Sequence, residues 1–192
     1  IFPLQNAKAL DIFSFVVLAT GNVRGQLDPI SSGPNQGEGG MTKVATVVNE
    51  IRADVTSKEG YSMLIDAGNT IVGSSLSNFF TKKPLSGKSH PMIEVMNSLQ
   101  YDSAGWSSID FSLPTQLRDA RKRESKFTWV STNAYLGSDL YAADHRMLVY
   151  DVPNSAHVLK IAVISLPDPT KTSSIPSDSI KGMEFYDPVE EV

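Results

Sequence analysis

The sequence contains 192 residues, of which 41% are hydrophobic and 20% are charged, a composition typical of one water-soluble domain or a piece of one. Its 17 Lys and Arg residues against 21 Asp and Glu residues give a net charge of -4, which argues against nucleic acid as a partner. The sequence has no cysteine and no apolar stretch of roughly 20 residues, which excludes disulfides, zinc–thiolate sites and a direct membrane span.

The first elements form a strand–helix–strand pattern. Residues 10–19 are β-branched and aromatic, and they predict a buried strand that ends in a turn at 20–22. A loop rich in Gly and Pro follows over 28–40, and apolar residues at helical spacing predict a helix over 41–55. A second central strand is predicted at 61–65.

The alternation of strands and helices continues along the chain. Helices are predicted at 74–80, 91–99 and 113–124, strands at 101–104 and 127–131, a hairpin-like pair at 147–152 and 158–166, and mostly coil over 167–192. This order predicts an α/β layered fold. Any functional site should be built from the loops at the carboxyl ends of the strands, at 20–26, 66–73, 105–112 and 132–135.

Several short motifs occur in order along nearly the whole chain. They include ATGNVRG at 19–25, GGMTKVAT at 39–46, LIDAGNTIVGSSLS at 64–77, STNAY at 131–135 and KGMEFYDPVEE at 181–191. The motifs resemble those of the secreted 5'-nucleotidases and 2',3'-cyclic-nucleotide phosphodiesterases of the calcineurin-like metallophosphoesterase superfamily. The resemblance implies a layered α-β-β-α sandwich, of which residues 1–192 are the N-terminal portion of a single domain, and an enzyme that uses two divalent metal ions.

The positions that this family uses for metal binding and catalysis carry other residues here. By the resemblance, Asn22 and Arg24 stand at a metal-binding Asp and its partner His, and Asn69 stands at the bridging Asp. Ser108 stands at the ligand Asn and Ile109 at the catalytic His. A guanidinium cannot be deprotonated and opposes a pair of dications, and an isoleucine cannot donate a proton. We therefore expect no metal ion, no cofactor and no catalytic residue.

Two functional hypotheses follow from this pattern. The first is a catalytically inactive member of the family, a structural or interaction subunit of a secreted or cell-envelope assembly. In it, the guanidinium of Arg24 and its neighbouring amides suit a phosphate or nucleotide that is bound without turnover. The alternative is an active metal-dependent phosphoesterase whose ligands come from a C-terminal part or a partner. A laboratory-inactivated enzyme is disfavoured, since engineered knockouts rarely change five positions.

The ends of the chain carry two further expectations. The numbering begins at Ile1 and not at a methionine, so we expect that an N-terminal segment was removed, as in secretion. A layered sandwich that stops at Val192 would expose an apolar sheet face larger than monomers usually tolerate. The C-terminal half of the same protein, or another subunit, is expected to cover that face.

The remaining candidate residues favour structural roles. His90 precedes a predicted helix and is expected to cap it, while His145 and His157 are expected at the surface. Asp66 follows a strand and, by the resemblance, supports the neighbouring ligand position. The basic residues of the 118–126 segment are expected to form a solvated helix face.

Overall fold

The computed structural model describes residues 13–82 and 88–191, so the start of the strand predicted at 10–19 lies outside the described residues. Strand β1 spans Phe15–Thr20. It is half-buried and not fully buried as predicted, and Val17 is 53% exposed. The physical reason is its position, because β1 forms the edge of its sheet and nothing in the described residues covers Val17.

The central element is a four-stranded parallel sheet in the order β1-β2-β3-β4, which confirms the predicted α/β fold. Strand β2 spans Tyr61–Asp66, β3 spans Ser103–Gly105 and β4 spans Thr128–Val130. The register pairs Thr20 with Asp66 and Asp66 with Ala104. The first three strands therefore end at one edge of the sheet, and the loops that leave them meet there.

The described residues contain five α-helices. They are α1 at Met41–Ser57, α2 at Ser75–Lys82, α3 at Pro91–Ser98, α4 at Ser108–Phe111 and α5 at Thr115–Glu124. Helix α4 lies inside the segment predicted as a loop. Apolar residues of the helices and of one sheet face form a single buried cluster that includes Met92, Met96, Leu64 and Trp129.

The C-terminal segment is more ordered than its composition predicts. Strand β5 at Ala134–Leu136 pairs with β6 at Asp139–Leu140 and with β9 at Met183–Phe185. Two 3-10 turns, at Pro169–Ser174 and Ser177–Ser179, precede β9 along the chain. The prediction of mostly coil over 167–192 holds for the described residues apart from these turns and β9, and β9 was missed because pairing with a strand about 50 residues earlier leaves no local pattern.

The predicted hairpin is confirmed as β7 at His145–Asp151 and β8 at Val158–Ile164. It packs on the sheet through Tyr150, whose ring lies 4.9 Å from Phe15 and 5.3 Å from Tyr61. Its other side is exposed and mixed in character. This outer hairpin face contains four large apolar residues, Met147, Val149, Val158 and Ile164, each between 43% and 56% exposed, and the register places His145, Asp151 and Lys160 among them.

The basic cluster on α5 is partly a core feature. Arg118 is fully buried, and its guanidinium donates to the Phe111 carbonyl at 2.7 Å and to the Tyr141 hydroxyl at 3.2 Å. Arg121 is also buried and pairs with Glu124 at 3.0 Å. The prediction of a solvated face is therefore wrong for these two residues, because carbonyl, hydroxyl and carboxylate acceptors compensate for burial of the charge.

Among the helices in the described ranges, none has both the length and the apolar character needed to cross a bilayer.

Candidate functional site

The loops after β1 and β2 are joined by backbone hydrogen bonds at the carboxyl edge of the sheet. The N–H of Asn22 donates to the Gly68 carbonyl at 2.8 Å, and the N–H of Arg24 donates to the Asn69 carbonyl at 2.8 Å. Because their strands are parallel neighbours, the two loops leave the sheet side by side. The backbone pairing then holds three of the predicted site positions, 22, 24 and 69, next to one another.

Helix α4, which follows β3, holds the loop after β2 in place through the buried carboxylate of Asp110. Its oxygens accept the backbone N–H groups of Asn69 at 2.8 Å, Thr70 at 3.1 Å and Ile71 at 3.2 Å. Burial raises the pKa of Asp110, while these donors and the Ser107 hydroxyl favour its charged form. Asp110 therefore sets the shape of the loop that carries Asn69.

The side chain of Asn69 has a defined orientation. Its Oδ1 accepts the backbone N–H of Ile109 at 3.3 Å and also contacts the Ser107 hydroxyl. An N–H group can only donate, so the oxygen of the amide must be the atom that faces Ile109. The amide nitrogen Nδ2 is left on the opposite side, and no described residue accepts a hydrogen bond from it.

Arg24 and Asn22 form a second oriented pair. Arg24 Nε donates to Asn22 Oδ1 at 2.9 Å, and both side chains are exposed. No carboxylate of the described residues forms an ion pair with Arg24. The contact again uses the amide oxygen, so the Asn22 Nδ2 group and the terminal guanidinium nitrogens are the donors that remain.

The backbone at these positions is unusual. Asn22, Arg24 and Asn69 have φ angles of 56°, 54° and 57°, in the left-handed region that most side chains avoid. Gly73, with φ 138°, lies against Arg24, where an added Cβ would be 2.8 Å from both the Cβ and the carbonyl oxygen of Arg24. The close approach of the two loops thus depends on a glycine, and local strain is concentrated at the site.

Asp66, at the carboxyl end of β2, supports the loops of the site, as predicted. Its carboxylate accepts the Thr20 hydroxyl at 2.6 Å, the Thr70 hydroxyl at 2.5 Å and the Gly68 N–H at 2.8 Å. Burial raises its pKa to about 6. Thr20 ends β1, and Gly68 and Thr70 lie in the loop after β2. Asp66 therefore ties the end of β1 and the loop after β2 to the end of β2.

The structure brings all five predicted site positions to one edge of the sheet. Ser108 and Ile109 follow Ser107, which contacts Asn69 directly. Ser108 is half-buried and lines a cavity of about 350 Å³, and none of the described hydrogen bonds involves its hydroxyl. The sequence interpretation missed Asp110. The S-x-x-D spacing of Ser107 and Asp110 looks like a capping box, but Ser107 makes no capping hydrogen bond and its hydroxyl instead donates to the Asp110 carboxylate at 2.7 Å, so no local signal pointed to the role of Asp110.

The three histidines lie outside this site. His90 is buried and caps α3, where its Nδ1 accepts the Met92 N–H at 3.2 Å, which confirms the predicted capping role. Burial lowers its pKa to about 4. His145 and His157 are exposed, as predicted. Within residues 13–82 and 88–191, no three His, Cys, Asp or Glu side chains are grouped so that they could hold a metal ion.

A pair of divalent metal ions does not fit the residues at this edge. The Asn22 and Asn69 oxygens that could ligate a cation are already used within the protein. Arg24 adds a permanent positive charge, and Ile109 offers neither a ligand nor a proton. What remains is a set of hydrogen-bond donors.

The fold is similar to that of solved calcineurin-like phosphoesterases. A solved calcineurin-like phosphoesterase of Bacillus subtilis superposes with a TM-score of 0.79 at 20% identity, over 91% of this chain and 55% of that chain. Sequence comparison finds a 5'-nucleotidase of Vibrio cholerae, 25% identical over 193 residues, which cover 98% of this chain and 32% of the relative.

A 2',3'-cyclic-nucleotide 2'-phosphodiesterase/3'-nucleotidase of Yersinia enterocolitica is 26% identical over 139 residues, which cover 68% of this chain and 20% of the relative. No protein-family model matches the chain. The chain is thus similar in sequence to 5'-nucleotidases and to a cyclic-nucleotide phosphodiesterase, which confirms the resemblance found in its motifs. It spans about a third of the length of the nucleotidases that it matches.

Proposed function

We propose that this chain is a catalytically inactive relative of the 5'-nucleotidases that acts as a structural or interaction subunit. The observation that carries the proposal is the state of the Asn69 amide, whose oxygen accepts the Ile109 N–H where the family has a metal-bridging carboxylate. The backbone of Arg24 is bonded to that of Asn69, and its guanidinium opposes a dication pair at this edge, at a Coulomb cost of several kcal/mol even at an effective dielectric of about 20. Ile109 leaves no general acid at its position.

In this proposal the chain is the N-terminal portion of a single metallophosphoesterase-like domain, in a secreted or cell-envelope assembly, as the family resemblance implies. The relatives support it through their size, since this chain covers only 32% of the Vibrio cholerae nucleotidase. The alternative, an active phosphoesterase that takes metal ligands from a C-terminal part, makes the opposite prediction in the assay that follows.

The decisive experiment measures bound metal and phosphate release in the same preparation. The purified protein is analysed for divalent metal by mass spectrometry and incubated with adenosine 5'-monophosphate and added Mn²⁺ or Zn²⁺. We expect neither stoichiometric metal nor phosphate release above the protein-free rate. Stoichiometric bound metal or phosphate release above the protein-free rate would establish the active alternative and overturn the proposal.

A reversion variant serves as the matched positive control. It carries the family's residues at the five altered positions: Asn22→Asp, Arg24→His, Asn69→Asp, Ser108→Asn and Ile109→His. We expect this variant to gain measurable affinity for Zn²⁺ or Mn²⁺ in titration calorimetry, because it restores carboxylate and imidazole ligands at a preformed edge of the sheet. The wild-type protein should give no such signal under the same conditions.

The outer hairpin face indicates the kind of partner. Its four apolar side chains, together with Val17 on the uncovered edge strand, are exposed in the described part of the chain. Exposed apolar surface of this kind marks an interface. We propose that the C-terminal half of the same nucleotidase-like protein covers it, which agrees with the greater length of the relatives.

Light scattering coupled to size-exclusion chromatography tests this partner. The 192-residue chain alone is expected to self-associate, and a Val149→Lys/Ile164→Lys variant is expected to become monodisperse. Ser155→Lys, at an exposed turn of the same hairpin, is the control that should change nothing. A wild-type chain that is already a stable, monodisperse monomer would contradict the proposal.

A further inference from the structure

We infer that three side chains at the carboxyl edge of the sheet bind a phosphate-type oxyanion directly, without a metal ion. These residues, called the donor cluster, are Asn22, Arg24 and Asn69. The inference rests on the proposed loss of the metal site and adds to it a ligand class and a way of binding.

The first argument is the direction of the two amides. Asn69 Oδ1 is occupied by the Ile109 N–H at 3.3 Å, and Asn22 Oδ1 is occupied by Arg24 Nε at 2.9 Å. Each amide therefore has its oxygen engaged by an N–H donor, that of Asn69 by backbone and that of Asn22 by the neighbouring guanidinium, and each leaves its NH₂ group available. A site built to hold a cation would do the reverse, because cations need oxygen ligands.

The second argument is charge. Arg24 is the only charged residue of the donor cluster, and no carboxylate of the described ranges pairs with it. Only its Nε is committed, so both terminal nitrogens can donate in parallel. A guanidinium whose edge between the two terminal nitrogens is free matches two oxygens of a phosphate in distance and angle.

The nearby carboxylates do not cancel this preference for an anion. Asp66 and Asp110 are buried under the loops, and both oxygens of each accept hydrogen bonds from backbone or hydroxyl groups. They thus turn no free acceptor toward the donor cluster. Ser108 and Asp168 line a separate cavity that contains none of the three cluster residues, so neither side chain belongs to the donor cluster.

The third argument is preorganisation. The Arg24 N–H is bonded to the Asn69 carbonyl at 2.8 Å, and the Asn69 N–H is bonded to Asp110 at 2.8 Å. All three cluster residues hold left-handed φ angles between 54° and 57°. The backbone that carries the donors is fixed before any ligand arrives, so binding pays little ordering entropy.

Titration calorimetry in the presence of EDTA tests the inference, with inorganic phosphate and adenosine 5'-monophosphate as the two probes. We expect saturable binding of at least one probe to the wild-type protein. Arg24→Gln should weaken it by about tenfold to a hundredfold, the usual cost of a charge-assisted hydrogen-bond pair. Arg123→Gln, an exposed cation on α5, is the matched control and should leave the affinity unchanged.

A second variant keeps the shape of the site and reverses its charge preference. Asn69→Asp is nearly isosteric and places a carboxylate between the remaining donors, so it should abolish phosphate binding while the protein stays folded by circular dichroism. Tighter binding of the monophosphate than of phosphate would identify an ester as the ligand, and equal affinities would identify the bare anion. Both of these outcomes support the inference.

Three outcomes overturn the inference. They are no saturable binding to the wild type, an unchanged affinity in Arg24→Gln, or binding that disappears when EDTA is added. The first two leave the proposed inactive function intact if metal and phosphate release are also absent. Stoichiometric metal with phosphate release would instead remove the proposed function itself, so the two failures are distinguishable.

Discussion

Thr20 and Asp66 end two neighbouring parallel strands, and the threonine hydroxyl donates to the aspartate Oδ2 at 2.6 Å. The same hydroxyl lies 2.9 Å from that of Tyr101, which packs in the core. The other carboxylate oxygen accepts Gly68 and Thr70 from the second loop. One buried carboxylate therefore links the sheet, the core and the site, and its protonation should be visible in the stability of the whole domain.

The first prediction concerns Asp66 and pH. Its pKa is about 6 in the folded protein against an ordinary value of 3.8. The folded state therefore holds this proton more tightly, so its contribution is fully present below pH 4 and is lost as the pH rises through about 6. The loss is at most about 3 kcal/mol. Urea unfolding at pH 4.5 and 7.5 should show a smaller decrease for Asp66→Asn than for the wild type, and equal decreases would refute the prediction.

The second prediction concerns His90 and has the opposite sign. Burial lowers its pKa from 6.5 to about 4, so the folded state favours the neutral imidazole. Its contribution is present above pH 6.5 and is lost as the pH falls toward 4, by roughly 3 kcal/mol. His90→Asn keeps a helix-capping side chain but cannot titrate. The free energy of unfolding of His90→Asn should vary less between pH 6.5 and 4 than that of the wild type. Both proteins should carry Asp66→Asn, so that the opposite pH dependence of Asp66 is removed.

The third prediction concerns the loop anchor Asp110. Asp110→Ala leaves the N–H groups of Asn69, Thr70 and Ile71 without their buried acceptor. We expect a loss of about 3 kcal/mol or more in the free energy of unfolding, measured by urea denaturation. Asp139→Ala removes an exposed carboxylate and is the control, with an effect within about 0.5 kcal/mol. Equal effects of the two substitutions would show that Asp110 is not an anchor.

The fourth prediction separates the buried arginine from its exposed neighbours. Arg118 donates to the Phe111 carbonyl and the Thr115 hydroxyl, and its guanidinium lies 4.9 Å from the centre of the Tyr141 ring. Arg118→Gln should cost about 2 to 4 kcal/mol in thermal or urea unfolding, because buried acceptors lose their donor. Arg123→Gln, on the exposed face of the same helix, should be nearly neutral. Similar values for both variants would restore the interpretation of a solvated face.

Local pattern was sufficient for the elements that position the site. Helical spacing of apolar residues predicted α1, and short apolar and aromatic runs predicted β2 and β4, so the parallel sheet and its carboxyl edge were predictable. The pairing of β5 with β9 was not, because a partner about 50 residues away leaves no periodic signal. The burial of Arg118 also depends on acceptors that only the folded chain supplies.

The candidate site was likewise predictable only in part. Motif resemblance predicted which five positions would meet, and the structure brings them together at the carboxyl edge. It could not predict which atom of Asn69 faces inward, because that is decided by the Ile109 N–H across the loop. The chemical character of the site, donors in place of ligands, follows from that orientation.

The Asp110 anchor acts on the N–H groups of residues 69–71 and requires nothing of the side chain at position 69. Loop shape and loop chemistry are therefore specified by different residues. A lineage that kept Asp110 could exchange a carboxylate for an amide at position 69 in a single step without refolding the loop. The same separation makes this edge of the sheet a scaffold on which new binding preferences can be installed one side chain at a time.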